Sequence, residues 1–207
     1  MNKSAICILD YGSGNVRSVY NVISQLTSQV HISNEKKDII ASSHLILPGV
    51  GAFGAAMEKI RKLIPLSILE NQIFGKKKPF LGICVGMQVM ATVGREFGEH
   101  NGLNWIPGII NKLETDELPL PHVGWNNCIF KKESAFTRGF TGEPDFYFVH
   151  SFAYVLATVN NNSVIATTNY GTDFCSIIQK DNIYGVQFHP EKSQKAGKLL
   201  LTNFLST

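Results

Sequence analysis

A cysteine enclosed by glycines, and a histidine two residues before a glutamate, are the groups in this sequence best suited to covalent chemistry. Gly82-Ile83-Cys84-Val85-Gly86 overlaps the end of the apolar run Pro79-Phe80-Leu81-Gly82-Ile83, a buried-strand signal, and residues 87–93 read as the helix that follows. A nucleophile on such a strand-to-helix bend has strained backbone dihedrals, and the glycines leave room for the sharp turn and for substrate. The side chain then stands above a helix N-terminus, which favours a thiolate. The amide of Val85, the next residue, can donate to a developing oxyanion. Taken alone, the string is equally that of a buried cysteine in a tight turn. His189-Pro190-Glu191 follows a second apolar run, residues 183–188. Pro190 fixes the backbone between imidazole and carboxylate. Glu191 can then orient His189 while His189 takes a thiol proton and later delivers it to a leaving amine. Taken alone, this is a loop histidine beside a solvated acid. Together with Cys84 it completes a nucleophile–base–orienter order.

A third segment, Pro48-Gly49-Val50-Gly51-Ala52-Phe53-Gly54, follows the buried run His44-Leu45-Ile46-Leu47. Its glycines can turn backbone amides toward a ligand at the carboxyl end of a strand, where open α/β sheets bind ligands. One of those amides could be a second oxyanion donor; a plain turn is the alternative. No Gly-Lys-Ser/Thr follows, so a phosphate-binding loop is not supported.

The elements that must position these groups are legible in part. Residues 5–9 form an apolar run that ends in the turn cluster Asp10-Tyr11-Gly12-Ser13-Gly14, after which Asn15 can cap a helix over residues 16–25. Helices are expected over 55–63 and from Pro65 to near Gly75. After Gly94 the pattern changes to short β-like runs, at 109–113, 127–130, 146–149, 164–168, 175–179 and 183–187, and a last helix covers 194–204. A βαβα first half and a strand-rich second half predict one three-layer α/β domain over residues 1–207, whose sheet gains antiparallel strands late.

With 207 residues, the chain can bury one sizeable core. An apolar fraction of 44% and 13 Phe exclude a largely disordered chain. A net charge of +3, from 19 basic and 16 acidic residues, implies no nucleic-acid partner. Lys76-Lys77-Lys78 reads as a solvated helix end. No spanning segment and no secretory leader are evident, so a cytoplasmic protein is expected. Cys7, Cys84, Cys128 and Cys175 show neither metal-like spacing nor a disulfide pattern, and Cys7, Cys128 and Cys175 read as packing residues. No metal and no organic cofactor are expected.

Gly82-Ile83-Cys84-Val85-Gly86-Met87-Gln88 and Phe188-His189-Pro190-Glu191 resemble the class I (triad) glutamine amidotransferases. Within that class, the ordered series Asp10–Asn15, Pro48–Gly51, Pro121-His122-Val123-Gly124-Trp125-Asn126, Tyr147-Phe148-Val149-His150-Ser151 and Gly185–Ser193 resembles the glutaminase subunits of imidazole glycerol phosphate synthases, over nearly the whole chain. The resemblance implies the fold of that class, a mixed, mostly parallel sheet flanked by helices. It implies that Cys84 attacks the side-chain amide of glutamine, that His189 is base and then acid, and that Glu191 holds it. Val85 and Gly51 would frame the oxyanion hole, with a peptide flip at Val50 or Gly51. Gln88, Gly49, His150 and Ser151 would hold glutamine. Asn15, Trp125, Asn126, Tyr147 and Lys192 would meet a (β/α)₈-barrel cyclase in a heterodimer, which uses the released ammonia to make imidazole glycerol phosphate and aminoimidazole carboxamide ribonucleotide. An alternative pathway with the same chemistry supplies ammonia for an amidine-bearing surface sugar. Two positions depart from the common pattern: Val85 stands where Leu is frequent, and Lys112 where Arg is common.

Overall fold

The computed structural model describes residues 5–12, 14–115 and 117–207. Ser13 of the expected turn and residues 1–4 lie outside them. In chain order the strands are β1 (Ile6–Leu9), β2 (Val30–Ser33), β3 (His44–Gly49), β4 (Phe80–Cys84), β5 (Val93–Gly94), β6 (His100–Asn101), β7 (Ile109–Lys112), β8 (His122–Asn127), β9 (Ile129–Phe130), β10 (Asp145–His150), β11 (Phe152–Tyr154), β12 (Val164–Tyr170), β13 (Thr172–Lys180) and β14 (Ile183–Val186). The α-helices are α1 (Val16–Ile23), α2 (Lys36–Ala41), α3 (Phe53–Leu63), α4 (Leu66–Glu70), α5 (Val85–Gln88) and α6 (Gln194–Phe204).

The main sheet has the order β2-β1-β3-β4-β14-β13-β12-β9. Its first five strands are parallel and the last three continue it antiparallel. This is the mixed, helix-flanked sheet the sequence implies. Every residue of β1, β3, β4 and β14 is buried, so each reads as an unbroken apolar run rather than an alternation. The helices bury one stripe each: Phe53, Ala56, Met57 and Ile60 of α3, for example, recur at helical spacing. Two smaller sheets, β10-β8 and β11-β7-β5-β6, complete the fold. Among the described residues, no helix is long and apolar enough to cross a membrane.

Several expectations are corrected. The helix expected over 87–93 begins at Val85 and stops at Gln88, because Val93 is drawn into parallel pairing with Ile109. The strand expected to stop at Pro48 continues through Gly49, since Pro48 and Gly49 still face Ile83 and Cys84 across the ladder. The α1 helix ends at Ile23, two residues early, and Asn15 stands at its N-cap position without a side-chain capping bond. The run 127–130 is divided, with Cys128 between β8 and β9.

What matters for chemistry is the adjacency of β3, β4 and β14. They are parallel neighbours, with Gly49 opposite Cys84 and Val186 opposite Ile83. Their carboxyl ends therefore emerge at one edge, and three segments spread over roughly 140 residues of chain converge there.

Candidate active site

At the end of β4 the backbone turns through Cys84 with φ 53° and ψ −112°. A side chain is rarely tolerated there, and such strain costs about 1–3 kcal/mol. Close packing holds it in place. A Cβ on Gly86 would stand 1.8 Å from the Leu47 carbonyl oxygen, and one on Gly82 would stand 2.4 Å from that of Gly86. The sequence predicts a helix dipole behind the sulfur. With four residues, α5 is too short to supply much of one, and the polar contacts of Cys84 come from a main-chain carbonyl and a side-chain amide instead. The thiol lies 3.9 Å from the Val149 carbonyl, and Sγ accepts from Gln187 Nε2 at 3.7 Å.

His189 leaves β14 on a short 3₁₀ turn, Pro190–Lys192, that begins with proline. Its amide donates to the Tyr147 carbonyl at 2.9 Å, and Ser193 Oγ donates to the His189 carbonyl at 2.7 Å while accepting from the Tyr147 amide at 3.0 Å. The main chain is thus clamped to β10. His189 Nδ1 and Glu191 Oε1 are 2.8 Å apart, with the glutamate side chain 0% exposed. Asn15 Nδ2 donates to the same oxygen at 3.2 Å. With Nδ1 engaged, the ring's hydrogen bond to Cys84 falls to the other nitrogen. Burial lowers the imidazole pKa, but hydrogen bonds to Cys84 and Glu191 and their charges outweigh it and lift it to about 10. The surroundings therefore favour the imidazolium, the form His189 would take on receiving a thiol proton. The other three cysteines are sealed in the core, where burial pushes Cys7 and Cys128 up to about 12 and Cys175 further. Cys84 is the cysteine that lines a pocket.

A stability prediction follows from His189. Its folded pKa is raised, so its charge pairing contributes fully below about pH 6.5 and fades as pH rises toward 10. The melting temperature of the wild type should fall between about pH 7 and 9, before the buried thiols add a loss of the same sign above their ordinary range. His189→Gln should flatten that slope in thermal melts across the interval. An equal slope in both proteins would remove His189 as its source.

The pocket beside the sulfur encloses about 170 Å³. Val50, Gly51, Val85, Gln88, His150 and Ser151, all named from the sequence, line it together with Cys84 and His189. Gly49 does not. It lies beneath the bend, where a Cβ would meet Tyr11 Oη at 2.5 Å and the Gly86 amide at 2.7 Å, so it allows close backbone packing rather than facing a ligand. Two residues were missed. Glu96 lines the pocket, its carboxylate fixed by the Phe53 amide at 2.8 Å, and it offers a negative charge to an ammonium group. Its place between glycines in Gly94-Arg95-Glu96-Phe97-Gly98 gives no spacing signal. Gln187 is fully buried and links Gln88, whose Nε2 donates to Gln187 Oε1 at 3.0 Å, to the Cys84 sulfur. Its position immediately before Phe188-His189-Pro190-Glu191 was the available hint. Among the described residues, no His/Cys/Asp/Glu group could hold a metal ion.

The five residues assigned to a subunit contact divide. On the β8–β10 ribbon Trp125 and Tyr147 are cross-strand partners, their rings 5.9 Å apart, with Trp125 47% exposed. The Lys192 ammonium lies 5.8 Å over the Tyr147 ring and also lines the pocket. Val50 and Val123 are exposed as well. Asn15 and Asn126 carry side-chain bonds within the chain, Asn15 to Glu191 and the half-buried Asn126 to His122 and the Asn169 carbonyl. Asn15 is 6% exposed and so offers little surface.

Comparison with known proteins places the chain in a family. The family described as glutamine amidotransferase class-I matches residues 7–207. The chain is 42% identical over 203 residues to the imidazole glycerol phosphate synthase subunit HisH of Salinibacter ruber, covering 95% of this chain and 92% of that one. It is 41% identical over 200 residues to the imidazole glycerol phosphate synthase subunit HisH 1 of Campylobacter jejuni, covering 96% and 98%. A chain in the solved structure of PurLQS from Thermotoga maritima superposes with a TM-score of 0.74 at 17% identity, covering 99% of this chain and 98% of that one, which shows the shared fold. The chain belongs to the class-I glutamine amidotransferases, in the family of the imidazole glycerol phosphate synthase subunits HisH.

Proposed function

We propose that the chain, as one amidotransferase domain, hydrolyses glutamine at Cys84 and passes the ammonia to a (β/α)₈-barrel cyclase that completes an imidazole glycerol phosphate synthase. The observation that carries this reading is the hydrogen-bonded order Cys84–His189–Glu191 at a strained bend beside a pocket. Cys84 attacks the side-chain amide carbon while its proton is held by His189, whose surroundings favour the imidazolium. The Val85 amide, and one from Val50 or Gly51 after a peptide flip, meet the oxyanion. His189 returns the proton to the departing nitrogen, which leaves as ammonia, and a thioester remains. Water, activated by the same imidazole, then releases glutamate. Glu96 receives the substrate ammonium, Gln88 and Ser151 hold its other polar groups, and His150, both of whose ring nitrogens are bonded within the protein, walls the pocket. Four free cysteines suit the reducing cytoplasm, where we place the protein.

The reading is tested by mixing the purified chain with a candidate cyclase and its ribonucleotide substrate, and measuring glutamate release and imidazole glycerol phosphate formation together. Glutamate without the imidazole product, and failure to restore growth of a histidine auxotroph, would move the chain to another ammonia acceptor. No glutamate at all would reject the reading.

The exposed Trp125–Tyr147–Lys192 cluster is proposed as the docking surface. Aromatic anchors at such centres are worth about 2 kcal/mol or more when truncated. Trp125→Ala should weaken binding of the cyclase roughly 30-fold, while changing stability by less than about 1 kcal/mol at this half-exposed position. A titration of glutaminase stimulation with cyclase checks it, and an unchanged midpoint would take Trp125 off the interface.

A further inference from the structure

His122 belongs to the segment Pro121–Asn126, does not line the pocket beside the sulfur, and has no part in the chemistry above. Its cross-strand register explains where it goes. His122 on β8 lies opposite His150 on β10, and the two rings meet with His122 Nδ1 3.2 Å from His150 Nε2. Outward along β8, Asn126 Nδ2 lies 3.3 Å from His122 Nε2. Inward, His150 Nδ1 lies 3.0 Å from the Phe152 carbonyl oxygen.

The direction of every hydrogen in this series is determined from both ends. Asn126 Oδ1 accepts from the Asn127 amide at 2.9 Å and Nδ2 donates to the Asn169 carbonyl at 2.9 Å, so the amide cannot be turned over without losing both bonds. Its remaining hydrogen faces His122 Nε2, which must accept. His122 then carries its proton on Nδ1 and donates to His150 Nε2. At the other end a carbonyl oxygen can only accept, so His150 must carry its proton on Nδ1. The two requirements agree, and each ring has one tautomer that satisfies them. Packing enforces the same state. His122 is stacked on Tyr170, with centroids 4.0 Å apart, and on Phe148 at 5.0 Å. Burial lowers the pKa of His122 to about 4 and that of His150, with the charge of His122 beside it, to about 3, so both rings are uncharged at neutral pH.

The series ends on a shared acceptor. The Phe152 carbonyl also receives Gln88 Nε2 at 2.8 Å, and the second hydrogen of that amide goes to Gln187, which contacts the Cys84 sulfur. We infer that Asn126, His122 and His150 form a one-directional hydrogen-bond relay that holds the Phe152 carbonyl, and with it Gln88, in register with Cys84. His122 is thus a positioning residue for the glutamine pocket, acting through His150 and Gln88. The consequence for glutamine rests on the glutaminase reading; the relay itself does not.

The test uses His122→Phe, which keeps a stacking ring and removes both nitrogens, and His122→Asn, whose amide can still donate toward His150 Nε2. In the wild type, ¹⁵N spectra should show Nδ1–H tautomers for both histidines, with no protonation from about pH 5 to 8. In His122→Phe, side-chain amide exchange at Gln88 should accelerate and the KM for glutamine should rise, each about tenfold, as for the loss of one buried hydrogen bond, with kcat within about twofold. His122→Asn should recover most of both effects. If His122→Phe does not fold, Asn126→Ala, which removes the first donor from a half-buried site, should show the same two changes. An Nε2–H tautomer on either wild-type ring, or Gln88 exchange and KM unaltered in a folded variant, overturns the relay. Should the wild type with cyclase release no glutamate, the glutaminase reading fails instead, and the tautomers and Gln88 exchange still decide the relay.

Discussion

Cys84→Ala should lower glutamate release from glutamine by at least about 10⁴-fold while leaving a folded chain that still binds its cyclase. The size of the effect follows from what the thiol alone supplies. Removing the nucleophile of a triad abolishes the covalent route, and what remains comes from substrate binding and the oxyanion donors. Neither His189 nor Glu191 can replace it, because Glu191 is sealed against His189 and cannot reach the pocket without breaking a 2.8 Å contact. The fold should survive, since Ala accepts most backbone conformations as well as Cys and the lost sulfur leaves space beside an existing pocket. The assay is coupled detection of glutamate with saturating cyclase, with circular dichroism and a cyclase-binding titration as controls. Turnover above about one percent of wild type would sink the nucleophile assignment, because residual triad-less catalysis is far smaller.

The largest stability effect is expected from Gly86→Ala. Alanine at Gly86 would put its Cβ 1.8 Å from the Leu47 carbonyl oxygen and 2.9 Å from its carbon. Leu47 is buried in β3, a strand with neighbours on both sides in the parallel sheet, and pairs with Gly82 of β4, so its backbone cannot yield as a side chain could. One of the two must move: either β3 separates from the bend or the bend opens. Overpacking of this kind costs about 1–3 kcal/mol in a yielding core and more where backbone meets backbone, so a loss of roughly 3–5 kcal/mol is expected. For a chain of this length, that corresponds to a melting temperature lower by roughly 10–15 °C. Urea unfolding of both proteins measures it directly. A difference below about 1 kcal/mol would mean that the bend does not depend on this contact. Glutaminase activity should fall as well, because the same displacement moves the Val85 amide away from the position an oxyanion would occupy.

Legibility followed burial on both faces. The strands β1, β3, β4 and β14 were readable because central parallel strands are apolar throughout, and α6 because its buried stripe repeats at helical spacing. The edge strand β2 is half-buried along its length and the helix α2 has six residues, so neither carries a pattern long enough to find. β8 is a strand because β10 pairs with it; in His122-Val123-Gly124-Trp125-Asn126-Asn127 the glycine and two asparagines offset the β propensity of Val123 and Trp125. The expected helix after the nucleophile failed at Val93 for the same reason, a pairing partner sixteen residues away.

The sequence alone named the groups suited to the chemistry, since a glycine-bounded cysteine and a proline-linked histidine and glutamate are local features whose geometry is constrained within a few residues. Only the tertiary structure decided how they are held. Asn15 against Glu191, Gln187 between Gln88 and the sulfur, Glu96 at the pocket and His122 against His150 are contacts between residues 28 to 176 positions apart, or between neighbours whose facing depends on strand order. Side-chain direction at such distances is set by which strands become neighbours and in which register, and that information is a property of the whole sheet rather than of any segment.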